Sequence, residues 1–342
     1  MQTTVSFPGL GIGEFTISRT AFSLFGREVY WYGVIIMLGI VAAFLHTLWR
    51  AKHEGVKSDH LYDMALFVVP AGIIGARLYY VLTTLDSGNY KNFLDVIAIW
   101  DGGLAIYGGI IAGAAAVIGV CLFKKLNVLK LMDMIAPGVM IAQAIGRWGN
   151  FCNGEAFGVV VPEGHPLYFM RMGLISDFTP PYMKYYHPTF LYESLWNVVG
   201  FILITVLYRK KKLNGQNVLM YLTWYGFGRM FIEGLRTDSL YVGSFRISQV
   251  VGGACFVLGA AALVTLFVLS KKGKLPGICE VSLVPVVRKA KATQNNASAQ
   301  TTAQTTAHAE VDTSNGAEDG EVASDEGADP VNESNPSSQT EE

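Results

Sequence analysis

The segment GRWGNFCNGEAFG at residues 146–158 gathers an arginine, two asparagines, a glutamate and four glycines at the point where a long apolar run ends. An ionised arginine near a bilayer core costs roughly 2.5–3.5 kcal/mol on insertion scales, so Arg147 needs a compensating partner. An anion compensates it most directly, and a membrane's own anions are phospholipid headgroups. The chemistry within reach of this segment is therefore recognition of a phosphate at a membrane.

Arg147 has company on neighbouring runs. Tyr225, Arg229 and Glu233 are spaced by four and share one helical face, as do Thr189, Glu193 and Asn197. Gln143 leads to Arg147 one turn later and then to Asn150, Asn153 and Glu155, and Arg77 interrupts another apolar run. Each has a structural reading: an internal Arg229–Glu233 pair, an Arg77 that snorkels to the interface, a Glu193 that bonds a neighbouring helix. As a set, ionisable groups on several helices at one depth are the signature of a substrate site inside a membrane bundle. Glycines at 109–113 and through 146–158 permit close helix contact or close backbone approach to a ligand.

The elements that carry these residues are membrane helices. Seven runs, near 30–49, 61–85, 103–123, 129–148, 188–208, 215–234 and 247–270, approach the ~20 residues needed to cross ~30 Å of hydrocarbon. The fold class expected is an all-α polytopic membrane protein. It is divided into an extracytoplasmic arm at 1–28, a seven-helix catalytic domain at 29–272 with an extracytoplasmic loop at 151–187, and a cytoplasmic tail at 273–342. Residues 290–342 are almost wholly small, polar or acidic and cannot bury enough apolar surface to offset ordering entropy, so this stretch reads as disordered.

The tail also masks a charge asymmetry. Of 27 Asp and Glu, 11 lie in residues 301–342, which hold no Lys or Arg, leaving 26 basic against 16 acidic residues in the rest. The excess falls in four loops: Arg50, Lys52 and Lys57; Lys124, Lys125 and Lys130; Arg209 to Lys212; Lys271, Lys272 and Lys274. By the positive-inside rule these loops are cytoplasmic, which puts the amino terminus outside and Arg77, Arg147 and Arg229 in the outer half.

Other classes find little support. No basic n-region precedes a short apolar segment, so the first helix is expected to act as an uncleaved insertion signal. Cys121, Cys152, Cys255 and Cys279 fall on different sides of this topology, which argues against a disulfide framework, and Cys152 reads as a packing residue in a glycine-rich turn. The six histidines show no zinc spacing, and no Walker or dinucleotide loop is present, so neither a metal nor another cofactor is expected. The basic loops are explained by topology and require no nucleic acid.

The signature segment, with WYG at 31–33, GARLYYVL at 75–82, GGLAIYGG at 102–109, HPTFLYE at 187–193 and RMFIEGLRTD at 229–238, resembles the prolipoprotein diacylglyceryl transferase family. Six matches in order along residues 28–270 make the resemblance specific. It implies transfer of the diacylglyceryl group from phosphatidylglycerol to the thiol of a lipobox cysteine in a secreted precursor. This reaction, the first step of lipoprotein maturation, releases glycerol phosphate in a bacterial cell membrane. Negative charge grows on the departing phosphate, and fixed cations beside it stabilise the transition state more than the ground state.

On this resemblance Arg147 and Arg229 match the family's essential arginines and are the expected phosphate binders. Asn150 and Glu155 match polar signature residues, Gly158 a position that needs glycine, Glu233 the glutamate that steers the second arginine, and Tyr32 the tyrosine of the first helix. Arg77, His187 and Glu193 complete the expected substrate-binding set. The departure is Tyr107, where well-known members carry a histidine proposed to deprotonate the thiol. Tyrosine, with a pKa near 10, is a poor base for a thiol near 8.5. The base is then among Glu155, Glu193, Glu233 and His187, or the electropositive site itself lowers the thiol pKa. The alternative readings are a transporter or flippase for an anionic lipid, for which no duplicated half is visible, and a non-catalytic lipid chaperone.

Overall fold

The computed structural model describes residues 2–87, 90, 92–99 and 102–280, so the expectation of a disordered stretch at 290–342 lies outside the described residues. The chain opens in strands. β1 (Gln2–Phe7) and β2 (Ile12–Ser18) pair antiparallel, with Gln2 opposite Ser18 and Phe7 opposite Ile12. β3 (Thr20–Leu24) and β4 (Arg27–Tyr30) form a hairpin whose two loop residues, Phe25 and Gly26, both have positive φ, the conformation that matches the twist of a two-residue hairpin.

α1 (Trp31–Glu54), α2 (Ser58–Thr83), the short α3 (Phe93–Ile97), α4 (Ile106–Phe123) and α5 (Val128–Asn153) follow. The next segment contains β5 (Met172–Ile175) and β6 (Lys184–Tyr186), and then come α6 (Thr189–Tyr208) and α7 (Gln216–Leu235). The two-residue strands β7 (Tyr241–Val242) and β8 (Phe245–Arg246) lead into α8 (Ile247–Lys271).

Among the described residues six helices, α1, α2, α4, α5, α6 and α8, are long and apolar enough to cross a membrane. The expected seventh exists as α7, close to its expected bounds, but its polar load keeps it out of that set. It is sheltered by α5, α6 and α8. Helix contacts are tight where side chains are absent. A Cβ at Gly138 would stand 2.8 Å from the Ala43 carbonyl oxygen, so α1 and α5 meet nearly backbone to backbone. α5 begins where the Asn127 side chain accepts the Lys130 N–H at 3.0 Å, and ends at Gly154, whose φ of 64° closes the helix.

The expectation of an arm at 1–28 acquires a specific shape. β1 pairs on its other side with β5, and β5 with β6, so the first residues and the segment after α5 build one sheet in the order β2-β1-β5-β6. Val5, Phe7, Met172, Leu174 and Tyr186 bury one face of it against Phe157 and Phe190. Apolar burial of this kind fixes the sheet onto the ends of α5 and α6, where the sequence places its polar signature.

Candidate functional site

Three helices bring the ionisable groups together. Glu193, one turn into α6, forms ion pairs with Arg147 of α5 and with Arg229 of α7. Arg229 is also paired with Glu233, one turn along its own helix, at 2.7 Å. Glu193 and Glu233 are both buried, and the two guanidinium groups nearly so. Two arginines and two glutamates leave the cluster with no net charge. Burying charges at such cost is tolerable only when they are paired in this way.

The array continues towards the sheet. Arg147 donates from Nη1 to Asn150 Oδ1 at 3.4 Å, a long contact, while Asn150 and Asn153 donate to Glu155 Oε1 at 3.0 and 3.2 Å. A guanidinium has five N–H donors, so Arg147 keeps hydrogens beyond those directed at Glu193 and Asn150. Glu155 differs from the other carboxylates of the site: among the described residues its partners are amides and not a cation.

The segment after α5 is pinned at almost every peptide. Gly158 N–H bonds the His187 carbonyl at 2.9 Å, Val159 N–H the Leu235 carbonyl at 2.8 Å, and Val161 N–H the Tyr185 carbonyl at 2.9 Å. It therefore bridges β6 and the end of α7, tying Arg229's helix to the sheet. Ala156, inside this strap, has a φ of 55°, a conformation that a residue with a Cβ adopts only when its surroundings enforce it.

Two cavities flank the strap. One of about 840 Å³ is walled by Tyr32, Asn153, Glu155, Arg19 and Phe178, and one of about 490 Å³ by Glu155, Phe157, Phe178, Thr237 and Asp238. Glu155 and Phe178 belong to both. The walls of these two cavities include neither Arg147 nor Arg229.

Comparison with known proteins completes the assignment. The family model described as prolipoprotein diacylglyceryl transferase matches residues 19–265. The chain belongs to the prolipoprotein diacylglyceryl transferase family. Proteins of Streptococcus pyogenes serotypes M5 (strain Manfredo), M49 (strain NZ131) and M1 are each 44% identical to it over 236 residues, covering 68% of this chain and 88% of their own length. Each is named phosphatidylglycerol–prolipoprotein diacylglyceryl transferase.

In this diacylglyceryl transferase the other sequence-expected residues are distributed unevenly around the cluster. Tyr32 opens α1 and packs on Gly149, where an added Cβ would come 2.9 Å from its ring. Gly158 has a steric reason to be glycine: a Cβ there would lie 2.7 Å from His187 Cβ and 3.1 Å from the Leu235 carbonyl. His187 is buried behind the strap, with Nδ1 3.2 Å from the Tyr192 hydroxyl. Burial pushes its pKa down, and the neighbouring His165 adds to the effect.

Two residues stand apart. Tyr107, at the start of α4, places its hydroxyl 3.4 Å from Ser248 of α8. Arg77 directs its fork at backbone carbonyls of the α2–α4 connection, with Nε on Val96 at 2.8 Å and Nη1 on Gly102 and Gly103 at 2.7 and 3.1 Å. This geometry holds a loop.

The structure also recruits groups that the sequence reading did not single out. Arg246, the last residue before α8, donates to the Glu233 carbonyl and to the Tyr241 hydroxyl. Arg236 forms a two-pronged pair with Asp238, from Nε at 3.0 Å and Nη2 at 2.8 Å. Burial opposes ionisation of Asp238, yet the Arg236 fork holds its carboxyl below the usual range. Arg236 and Asp238 lie within the RMFIEGLRTD segment at 229–238, whereas nothing in the sequence pattern marked Arg246.

Proposed function

We propose that this protein transfers the diacylglyceryl group of phosphatidylglycerol to the thiol of a lipobox cysteine in a prolipoprotein, releasing glycerol phosphate, with the sheet outside the cell membrane and the basic loops inside. Supporting the reading is one observation above all: Arg147 and Arg229, from two helices, share the carboxylate of Glu193 at the edge of the strap that carries Glu155 into two cavities.

The headgroup phosphate engages the N–H groups that Arg147 does not direct at Glu193 or Asn150, while Arg229 is held in place by Glu193 and Glu233. Bidentate guanidinium bonds remain charged when water is excluded, which suits a phosphate whose charge grows during the reaction. The thiolate sulfur attacks the glyceryl carbon that bears the phosphoester oxygen. The carbon–sulfur bond forms as the carbon–oxygen bond breaks, and the departing glycerol phosphate keeps the electron pair.

The proton of the thiol goes to Glu155. Glu193 and Glu233 are committed to arginines, His187 is enclosed by the strap, and Tyr107 is turned to Ser248, so Glu155 is the carboxylate with both exposure to the cavities and freedom from a cationic partner. Asn150 and Asn153 orient it.

Purified protein supplied with labelled phosphatidylglycerol and a lipobox peptide should yield a thioether-linked diacylglyceryl peptide and one equivalent of glycerol phosphate. Lipid movement across a vesicle without either product would replace this reading with transport.

A further inference from the structure

At the end of the bundle away from the Arg147 cluster, α1 and α6 enclose a second basic cavity of about 380 Å³, walled by Trp49, Arg50, Glu54, Tyr208, Arg209 and Lys211. It lies at the level of Asp133, since Lys211 pairs with Asp133 at 3.2 Å. Arg147 stands 14 residues further along α5, about 20 Å at 1.5 Å per residue. The two sites are separate.

Arg50 is the unusual group here. It is 6% exposed, and its Nε and Nη2 have no hydrogen-bond partner among the described residues. Its guanidinium carbon lies 3.8 Å from the Tyr208 ring centroid and 4.7 Å from that of Trp49. Ring stacking stabilises the face of a guanidinium but leaves its in-plane N–H groups unanswered. Nε and Nη2 form one edge of the fork, the edge that takes two oxygens of a phosphate or carboxylate side by side.

The neighbouring charges cannot fill that edge. Glu54 is shared with Lys130 at 3.8 Å and Lys211 at 4.0 Å, and Asp133 is taken by Lys211 and by the N–H groups of Gly215 and Val218 at 2.8 and 2.9 Å. Among the described residues, Arg50, Arg209, Lys211 and Lys130 stand beside these two carboxylates, a surplus of positive charge next to unsatisfied donors. A buried cation with orphaned donors is costly unless an anion completes it.

We propose that this cavity binds a phosphate-bearing anion, with Arg50 as its bidentate partner, and that its source is the headgroup of an acidic phospholipid in the leaflet opposite the transferase site. Arg209, Lys210 and Lys52, all exposed, extend the basic surface around the mouth, and Trp49, 47% exposed, is suited to the interface at headgroup level.

The test uses full-length protein in neutral detergent and short-chain phosphatidic acid, with inorganic phosphate and short-chain phosphatidylcholine as further probes. Phosphatidic acid should show a saturable site that persists in Arg147→Ala, weakens about tenfold or more in Arg50→Gln, and weakens less in Arg50→Lys, which keeps charge but loses the fork. Phosphatidylcholine should not compete. Competition by inorganic phosphate at comparable concentration would keep the oxyanion site and assign it a soluble ligand in place of a lipid. Should Arg50→Gln not fold, Arg209→Gln, on the exposed wall, should weaken the same site several-fold. Equal binding by parent and by whichever of these variants folds would overturn the proposal.

Discussion

Trp196 of α6 and Trp224 of α7 stack with ring centroids 4.2 Å apart, and each donates its indole N–H to the other's backbone carbonyl at 3.0 Å. Trp196 is three residues from Glu193 and Trp224 five from Arg229, so this reciprocal pair sets the register in which the carboxylate meets the guanidinium. Trp224→Phe removes one of the two indole bonds while the Trp196 carbonyl keeps its helical partner, a net loss of about 0.5–1.5 kcal/mol. Thermal unfolding in detergent should show a midpoint several degrees lower, with a fall in thioether formation. An unchanged midpoint would show that the stack does not fix the register.

Arg147→Lys and Arg229→Lys keep a charge but lose the fork that meets both Glu193 and a phosphate. Each should slow thioether formation by about a hundredfold to a thousandfold, the scale for losing one charge-assisted bond to a developing oxyanion, with Ala at least as damaging. Near-parental rates in folded Arg147→Ala would remove the phosphate-binding role.

Glu155→Gln preserves the shape that Asn153 and Asn150 grip while removing the proton acceptor. The rate should drop by about 10²–10⁴ with lipid binding little altered, and a pre-ionised, low-pKa thiol substrate should recover part of it. Equal loss for both thiols would point to a structural role.

Gly158→Ala sets a methyl group against His187, Thr189 and the Leu235 carbonyl, all rigidly held. Overpacking of this kind costs about 1–3 kcal/mol, and here it should also disturb the strap. Thermal unfolding and activity should decline together. A fully stable, active variant would show that the strap yields.

His187 provides a pH test. Its folded pKa lies below its ordinary value, so the fold favours neutral imidazole. Below about pH 6.5 the unfolded chain takes up a proton that the folded chain resists, and stability should decrease as pH falls from there towards the lowered folded value. His187→Gln should flatten that slope between pH 7.5 and 5. An identical slope in the variant would assign the effect elsewhere.

The sequence by itself determined the helices and the residues that must be answered within them. Apolar length and the cost of an intramembrane charge are local properties, so seven runs, Arg147 and Arg229 were legible without any contact. The Arg229–Glu233 pair was legible too, because four residues on one helix are neighbours by geometry alone. Only the tertiary structure decided where each charge is spent. Glu193 answers arginines 46 and 36 residues away in sequence, Arg77 turns to the carbonyls of a loop, and β1 finds β5 across more than 160 residues. Periodicity carries no record of such pairings. They are selected when packing removes water from polar groups and each must find whichever partner the fold has brought within reach.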